Sequence, residues 1–383
     1  MLRPIKSFDI KGQTVLIRLD LNVPILDDII QDDFRIRACL PTINYCLSEG
    51  ASVVLMSHLG RPDGAYNEQF SLMPVGEHLA SLLEMPIKFS SDCISQDAID
   101  TSLSLKTGEV HLLENLRFHK EESINDSVFA NKLSKHGRLY INDAFGTAHR
   151  AHSSTAMMAQ FFPEKKCFGS LLASEVIAID KVMKDGDSPV IAILGGAKVS
   201  SKITIIESLL EKVDHLIIGG GMVYTFTKAL GGTVGNSICE PDFCDYALEL
   251  LKKAKAKGVE IHLPVDVIAG DDFSNDATQK VIDVKSIPEG WEGLDAGPKS
   301  REIFHILLLK CKTILWNGPL GVFEFPNFAK GTISIGESIG EATKAGAFSL
   351  VGGGDSVAAV KKFNLGDEVS YVYTGGGAML EML

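Results

Sequence analysis

Residues 189–222 read PVIAILGGAKVSSKITIIESLLEKVDHLIIGGGM. Val190–Leu194 is a continuous apolar run, as in a strand buried on both faces. Two glycines and Lys198 follow. Ile203, Ile206, Leu209, Leu210 and Val213 then recur at three- and four-residue steps, which predicts an amphipathic helix from about Ser200. A second apolar run, Leu216–Ile218, ends in Gly219–Gly221. Strand, helix, strand is the unit of a parallel α/β sheet. The first loop does not fit the GxxxxGK[ST] phosphate loop, so the purpose of Lys198 has to be found elsewhere.

The same pattern extends in both directions. "TVLIRLDLNVP", "SVVLMSHLGRP", "EVHLLENLRF" and "LYINDAFGTAHR" lie upstream. "IHLPVDVIAG", "TILWNGPLGV", "FSLVGGGDS" and "SYVYTGGGA" lie downstream. "PVGEHLASLLEM" and "DFCDYALELLKKAKAKG" supply further helical periods, the latter closing on lysines and Gly258. Ligands of such sheets bind beyond the carboxyl ends of the strands, where the unusual residues of this chain stand.

The two halves carry different equipment. Eight of the nine arginines lie within the first 150 residues, whereas 28 of 36 glycines lie after them. Arginine offers a planar fork to carboxylate or phosphate, and glycine lets main-chain amides approach a phosphate. At 383 residues, this partition predicts two domains rather than one large sheet. A net charge of −12 argues against a nucleic-acid partner. No apolar stretch is long enough for a bilayer, and the seven cysteines lack metal-ligand spacing, as for reduced thiols in a cytoplasmic protein.

In the front half, Asp20 and Asn22 (RLDLNVP), Arg35, His58 and Arg61 (SHLGRP), Arg117 and Arg150 form a candidate anion site, with Asp20 accepting from a substrate hydroxyl or orienting an arginine. Arg3, Arg37 and Arg138 read as ordinary surface charges. His149 and His152, without carboxylate or cysteine nearby, read as hydrogen-bonding or structural groups. In the back half, Gly219–Gly221, Gly352–Ser356 and Thr374–Ala378 follow apolar runs. The main-chain amides at Gly353–Ser356 open a helix and favour phosphate. Asp355 is the candidate Mg²⁺ ligand. Lys198 and Lys202, four residues apart, are expected on one face of a helix start, against the dipole unless an anion lies between them. Glu324 is the candidate acceptor for ribose hydroxyls.

Together "DLNVP", "SHLGRP", "LLENLRFH", "NDAFGTAHRAHSS", "ILGGAKVSSKI", "IIGGGM", "WNGPLGVFE", "GGGDS" and "TGGGA" resemble the phosphoglycerate kinase family, in family order and across essentially the whole chain. The resemblance implies an α/β fold of two Rossmann-like domains, each a parallel sheet flanked by helices, with an interdomain cleft. It implies a 3-phosphoglycerate-binding domain at 1–168, a helix and hinge at 169–188, a nucleotide-binding domain at 189–365, and a segment at 366–383 returning toward the hinge. The hinge is expected to act together with a strand region near GVFEFP (321–326). The implied activity is reversible, Mg²⁺-dependent phosphoryl transfer from 1,3-bisphosphoglycerate to ADP, with direct transfer and domain closure, by a cytoplasmic monomer.

By position, the resemblance places Asp20, Leu21, Asn22, Arg35, His58, Leu59, Gly60, Arg61, Arg117 and Arg150 at 3-phosphoglycerate. It places Gly195, Lys198, Lys202, Gly219, Gly220, Asn317, Glu324, Gly353, Gly354, Asp355 and Ser356 at the nucleotide, with adenine near Gly219–Gly221 and the metal at Asp355. Arg35, Lys198, Gly375 and Gly376 surround the moving phosphoryl group. Ser356 stands where the family often has threonine, and Tyr373 where serine is common; the sequence ends at LEML where members usually continue in a short tail. An NAD-dependent dehydrogenase is disfavoured, since no GxGxxG follows a strand with an acid about 20 positions on. A non-catalytic relative that kept only the fold is expected to lose Arg35, Lys198 or Asp355, and all three are present.

Overall fold

The computed structural model describes residues 3–382. Met1, Leu2 and Leu383, which the expected segments 1–168 and 366–383 include, lie outside the described residues. The chain divides into two compact units, 1–177 and 178–383, the division falling inside the helix Ser170–Met183.

Unit one is built on a six-stranded, wholly parallel sheet. Its strands are β1 (Thr14–Arg18), β2 (Ser52–Met56), β3 (Ile87–Ser90), β4 (Val110–Leu113), β5 (Leu139–Asn142) and β6 (Lys166–Phe168), in spatial order β3-β4-β2-β1-β5-β6. Alternation along β1 fills both faces. Val15 and Ile17 join one core with Ile43 and Leu79, whereas Leu16 joins the other with Met56, Phe129 and Tyr140. Arg18 shares the face of Leu16 and is fully buried at the carboxyl end of the strand. Helix α1 (Phe34–Ser48) buries Ile36, Cys39, Ile43 and Cys46 against the sheet and carries Arg35 in its first turn.

Unit two repeats the plan. Its strands β7 (Val190–Leu194), β8 (His215–Ile218), β9 (Glu260–His262), β10 (Thr313–Asn317), β11 (Phe348–Val351) and β12 (Tyr371–Val372) form a second parallel sheet, in order β9-β8-β7-β10-β11-β12. Ile193, Ile217, Ile314, Trp316 and Val351 share one core with Phe304 and Ile339. A separate three-stranded antiparallel sheet joins Asp266–Gly270 to Gln279–Asp283 and Glu292–Ala296. The periodic segments form helices at Met73–Leu83 and Cys244–Lys257, the latter ending on left-handed Gly258.

Two expectations need correction. The segment after Lys198 starts as a 3₁₀ turn at Ser200–Lys202, and helix α2 covers only Ile203–Leu209, so Lys198 and Lys202 do not share a helix face. The cause is tertiary: Glu240 accepts from the Ser200 amide (3.0 Å) and hydroxyl (2.6 Å) and fixes the entry to the helix. The stretch near GVFEFP is no strand; residues 318–329 form turns and a 3₁₀ helix at Pro326–Phe328.

Candidate active site

All six strands of unit one run the same way, so the loops after β1, β2, β4 and β5 emerge from one edge of the sheet. These loops carry Asp20–Asn22, His58–Arg61, Arg117 and Arg150. Their scaffold is a set of main-chain and amide bonds. Leu21 N donates to Ser57 Oγ (2.9 Å), Gly60 N to Asn22 Oδ1 (2.9 Å), and Leu59 N to Asn115 Oδ1 (3.2 Å). Asn115 Nδ2 returns a bond to Leu59 O (2.7 Å). Gly60 is required here: its φ is +61°, and a Cβ would lie 2.3 Å from the Phe70 ring.

Arg35 Nη1 donates to Asn22 O (2.9 Å) and stands 3.4 Å from Asp20 Oδ2, so Asp20 orients Arg35. Arg18, buried, donates through Nε to Ser154 Oγ (2.7 Å) and points Nη2 at His58 Nδ1 (3.3 Å). Ser154 is itself held by buried Glu122. Burial, then the charges of Arg18, Arg117 and Arg35, hold His58 well below the ordinary histidine range. The imidazole is therefore neutral, its Nδ1 accepts from Arg18, and its proton sits on Nε2. The 3.9 Å approach of His58 Nδ1 to Asp20 is accordingly no ion pair.

A cavity of about 530 Å³ opens beside these groups, lined by Arg61, Arg117, Lys120, Arg150 and His152, with Asp63 its one carboxylate among the described residues. Arg117 donates to Gly60 O (2.7 Å). Burial and the neighbouring Arg18 and Arg150 depress it to about 10. His152 is brought down to about 4 by burial and the same three arginines. Its Nδ1 is buried without a hydrogen-bond partner among the described residues. Four cations around a concavity repel one another until an anion neutralises them. Lys120 is a member that sequence reasoning missed, since "RFHKEES" reads as an ordinary solvated charge run.

Unit two also presents its loops at the carboxyl edge of a parallel sheet. The loops after β7, β8 and β10 touch main chain to main chain. A Cβ at Gly195 would lie 1.9 Å from Pro319 O, and one at Gly220 (φ +67°) 2.7 Å from Gly196 O. These contacts wall a cavity of about 400 Å³. Gly196, Gly220 and Gly221 form its floor, Ile238, Phe273, Leu294, Leu320 and Val322 its apolar sides, and Glu292, Glu324 and Asp355 its acidic groups. A flat, uncharged ring with a polar appendage fits such a slot.

Asn317 organises the phosphate side. Its Nδ2 donates to Gly352 O (2.9 Å), and its Oδ1 accepts from Lys202 Nζ. Burial lowers Lys202 from its ordinary value, with Asp355 opposing the shift. Gly353, at φ +94°, turns the chain into helix α3 (Gly354–Lys362). Ser356 is buried and accepts from the Gly318 amide, so its hydroxyl joins two loops. Lys198 is exposed on the loop after β7 and does not line the apolar cavity. Against burial, which opposes the shift, the hydrogen bonds from Ser200 and Val199 and then the Lys198 charge hold Glu240 below its ordinary value. Gly375 and Gly376 follow β12 at the same edge. Asp355 is exposed in the first turn of α3 and lines the cavity, a hard oxygen donor beside the loops expected to take phosphate, so the residues present fit Mg²⁺.

Every residue expected to bind thus stands at one of two sheet edges, the acid set in unit one and the nucleotide set in unit two. A family model described as phosphoglycerate kinase matches residues 5–383. The chain belongs to the phosphoglycerate kinase family. It is 49% identical to a phosphoglycerate kinase from Porphyromonas gingivalis over 99% of this chain and 96% of that protein. It is 48% identical to one from Rippkaea orientalis, over 98% and 94%. Among solved structures, phosphoglycerate kinase from Coxiella burnetii superposes with a TM-score of 0.89 at 39% identity, covering 100% of this chain and 96% of that one. The enzyme from Pyrococcus horikoshii gives 0.85 at 33% identity, covering 100% and 95%. Both likenesses extend through both units.

Proposed function

We propose that this chain catalyses reversible phosphoryl transfer from 1,3-bisphosphoglycerate to ADP, giving 3-phosphoglycerate and ATP in glycolysis. The family membership supports the reaction, and one observation supports its division between sites: the cationic cavity and the glycine-walled apolar cavity belong to different units. In the cationic cavity, Arg61, Arg117, Lys120 and Arg150 hold the phosphate that is not transferred, while Asp20, Asn22 and His58 orient the glycerate. In the other, the base enters among Leu294, Leu320 and Val322, Glu324 accepts from the ribose, and Lys202 with the amides at Gly353–Ser356 meets the phosphates. Asp355 would hold Mg²⁺, which neutralises nucleotide charge when bound.

A β-phosphate oxygen of ADP attacks phosphorus as its bond to the C1 carboxylate oxygen breaks. The leaving carboxylate is a weak base and departs without a proton, so no general acid is required. Positioning and charge stabilisation are what remain for the protein. Lys198 and Arg35, with the amides of Gly375 and Gly376, serve the three peripheral oxygens of the moving group. No covalent enzyme intermediate forms.

The reacting atoms must come within about 3–3.5 Å, so the proposal includes closure of the two domains, with residues 169–188 as hinge. We assign domains 1–168 and 189–365 to these roles, and the enzyme is proposed to act as a cytoplasmic monomer without nucleic-acid or membrane partners. Among the described residues no helix is long and apolar enough to cross a membrane. The test is ATP formation from 1,3-bisphosphoglycerate, ADP and Mg²⁺ in a coupled assay. Turnover is expected, and its absence in folded protein would refute the reading.

A further inference from the structure

A second constellation in unit two includes none of the residues that line either cavity. His215 opens β8, and Glu260 and His262 are the first and last residues of the edge strand β9. The parallel register sets His215 beside Glu260 and Ile217 beside His262. Residues two apart on a strand share a face, so all three side chains project from one side of the sheet, at the rim of the core that holds Ile217.

The donor atoms converge. His262 Nε2 is 3.2 Å from His215 Nδ1, and Glu260 Oε2 is 3.6 Å from His215 Nδ1 and 3.8 Å from His262 Nε2. Donors set tetrahedrally at roughly 2.0–2.1 Å from a zinc ion stand about 3.4 Å apart. The triangle needs to contract by only a few tenths of an ångström on two sides. Both imidazoles are about one-fifth exposed and Glu260 is 70% exposed, so the ligands are held from behind and reachable from solvent.

We propose that His215, Glu260 and His262 form a binding site for a divalent transition-metal ion of the zinc class, with its remaining coordination position open to solvent. Two imidazoles and one carboxylate suit borderline ions such as Zn²⁺ or Co²⁺, whereas Mg²⁺ and Ca²⁺ take oxygen donors. The site is therefore chemically distinct from the Mg²⁺ position at Asp355. Bound metal would fasten edge strand β9 to β8 and stabilise the nucleotide unit by mass action. A second grouping, Asp92, Cys93 and His119, competes less well, because the Cys93 thiol is fully buried and burial raises it well above its ordinary value.

The test is titration of the full chain, free of nucleotide and Mg²⁺, with Co²⁺ alone, followed by its visible d–d absorption. One saturable equivalent is expected. His262→Ala is expected to abolish it, and Glu260→Gln, at an exposed position that does not endanger folding, to weaken it about tenfold or more. Activity of Glu260→Gln in the coupled assay should equal that of the parent, showing that the fold is intact. No saturable absorption, an unchanged titration in Glu260→Gln, or a thiolate charge-transfer band marking Cys93 as ligand would each overturn the proposal.

Discussion

Arg117→Met is expected to separate binding from stability. The substitution keeps an unbranched stem and removes the guanidinium. That guanidinium is held at about 10 by burial and by Arg18 and Arg150, against an ordinary value of 12.5. The folded value lies below the unfolded one, so the cation carries its full penalty at pH 7, and the penalty fades only as pH rises through and above about 10. The drop from 12.5 to about 10 corresponds to about 3–4 kcal/mol, and partial exposure of the group reduces this to about 1–2 kcal/mol. Against that stands the charge-assisted bond to Gly60 O, worth about 1.5–3 kcal/mol. The two largely offset each other, and unfolding free energy from urea titration should change by no more than about 2 kcal/mol. An anion in the cavity relieves the repulsion and adds charge-assisted bonds, so 3-phosphoglycerate should bind about 30- to 1000-fold more weakly in the variant, or roughly 2–4 kcal/mol. Calorimetric titration measures this directly, with ADP titration as the control. Unchanged affinity for the acid, or a stability loss above about 3 kcal/mol, would show Arg117 to be a strut for the loop of Gly60 rather than a ligand.

Lys198→Ala should lower kcat about 100- to 1000-fold with little change in nucleotide KM, as for loss of one charge-stabilising donor; a rise in KM alone would make Lys198 a binding group only. Gly220→Ala meets both a left-handed φ and the Gly196 carbonyl at 2.7 Å. It should cost about 2–4 kcal/mol in urea unfolding, whereas Gly231→Ala, with φ +86° and open space around it, should cost about 1 kcal/mol; equal costs would dismiss the close approach of the loops. Burial raises Asp143 to about 6, with hydrogen bonds from Thr42 and the Leu171 and Leu172 amides opposing. Its folded value exceeds the unfolded one, so stability from this group is present below about pH 4 and is lost as pH rises through 6, by up to about 3 kcal/mol. Asp143→Asn should remove that slope between pH 4 and 6.5, and an unchanged slope would place its origin elsewhere. With both substrates present, solution scattering should show a smaller radius of gyration than with either alone, and an unchanged value would contradict closure.

The fold was legible where buried strands are continuous apolar runs. Val190–Leu194 and Ser52–Met56 are buried at every position and could be read from composition alone. The edge strand Ile87–Ser90 was not legible, because "IKFS" has one buried position and no distinctive pattern. The antiparallel strands Gln279–Asp283 and Glu292–Ala296, QKVID and EGLDA, mix charged and apolar residues without a continuous apolar run, so composition does not announce them. Within the candidate sites, Gly353 and Asp355 announce themselves beside a helix start. Arg18 does not: its partner Ser154 is 136 residues away, and only the fold brings them together. Lys202 was read as a neighbour of Lys198 on a helix, yet its amine turns inward to Asn317, 115 residues on. The apolar walls at Phe273, Leu294 and Val322 come from loops and a polar strand with no nucleotide signature of their own.

The most direct test is hydrogen–deuterium exchange, read by peptide, with 3-phosphoglycerate alone and with Mg²⁺–ADP alone. The acid should slow exchange at 57–64, 115–124 and 148–153, leaving the glycine loops unchanged. The nucleotide should slow exchange at 195–202, 218–224, 317–324 and 352–357, leaving the arginine loops unchanged. Protection of one and the same unit by both ligands would contradict the division on which the proposed reaction depends.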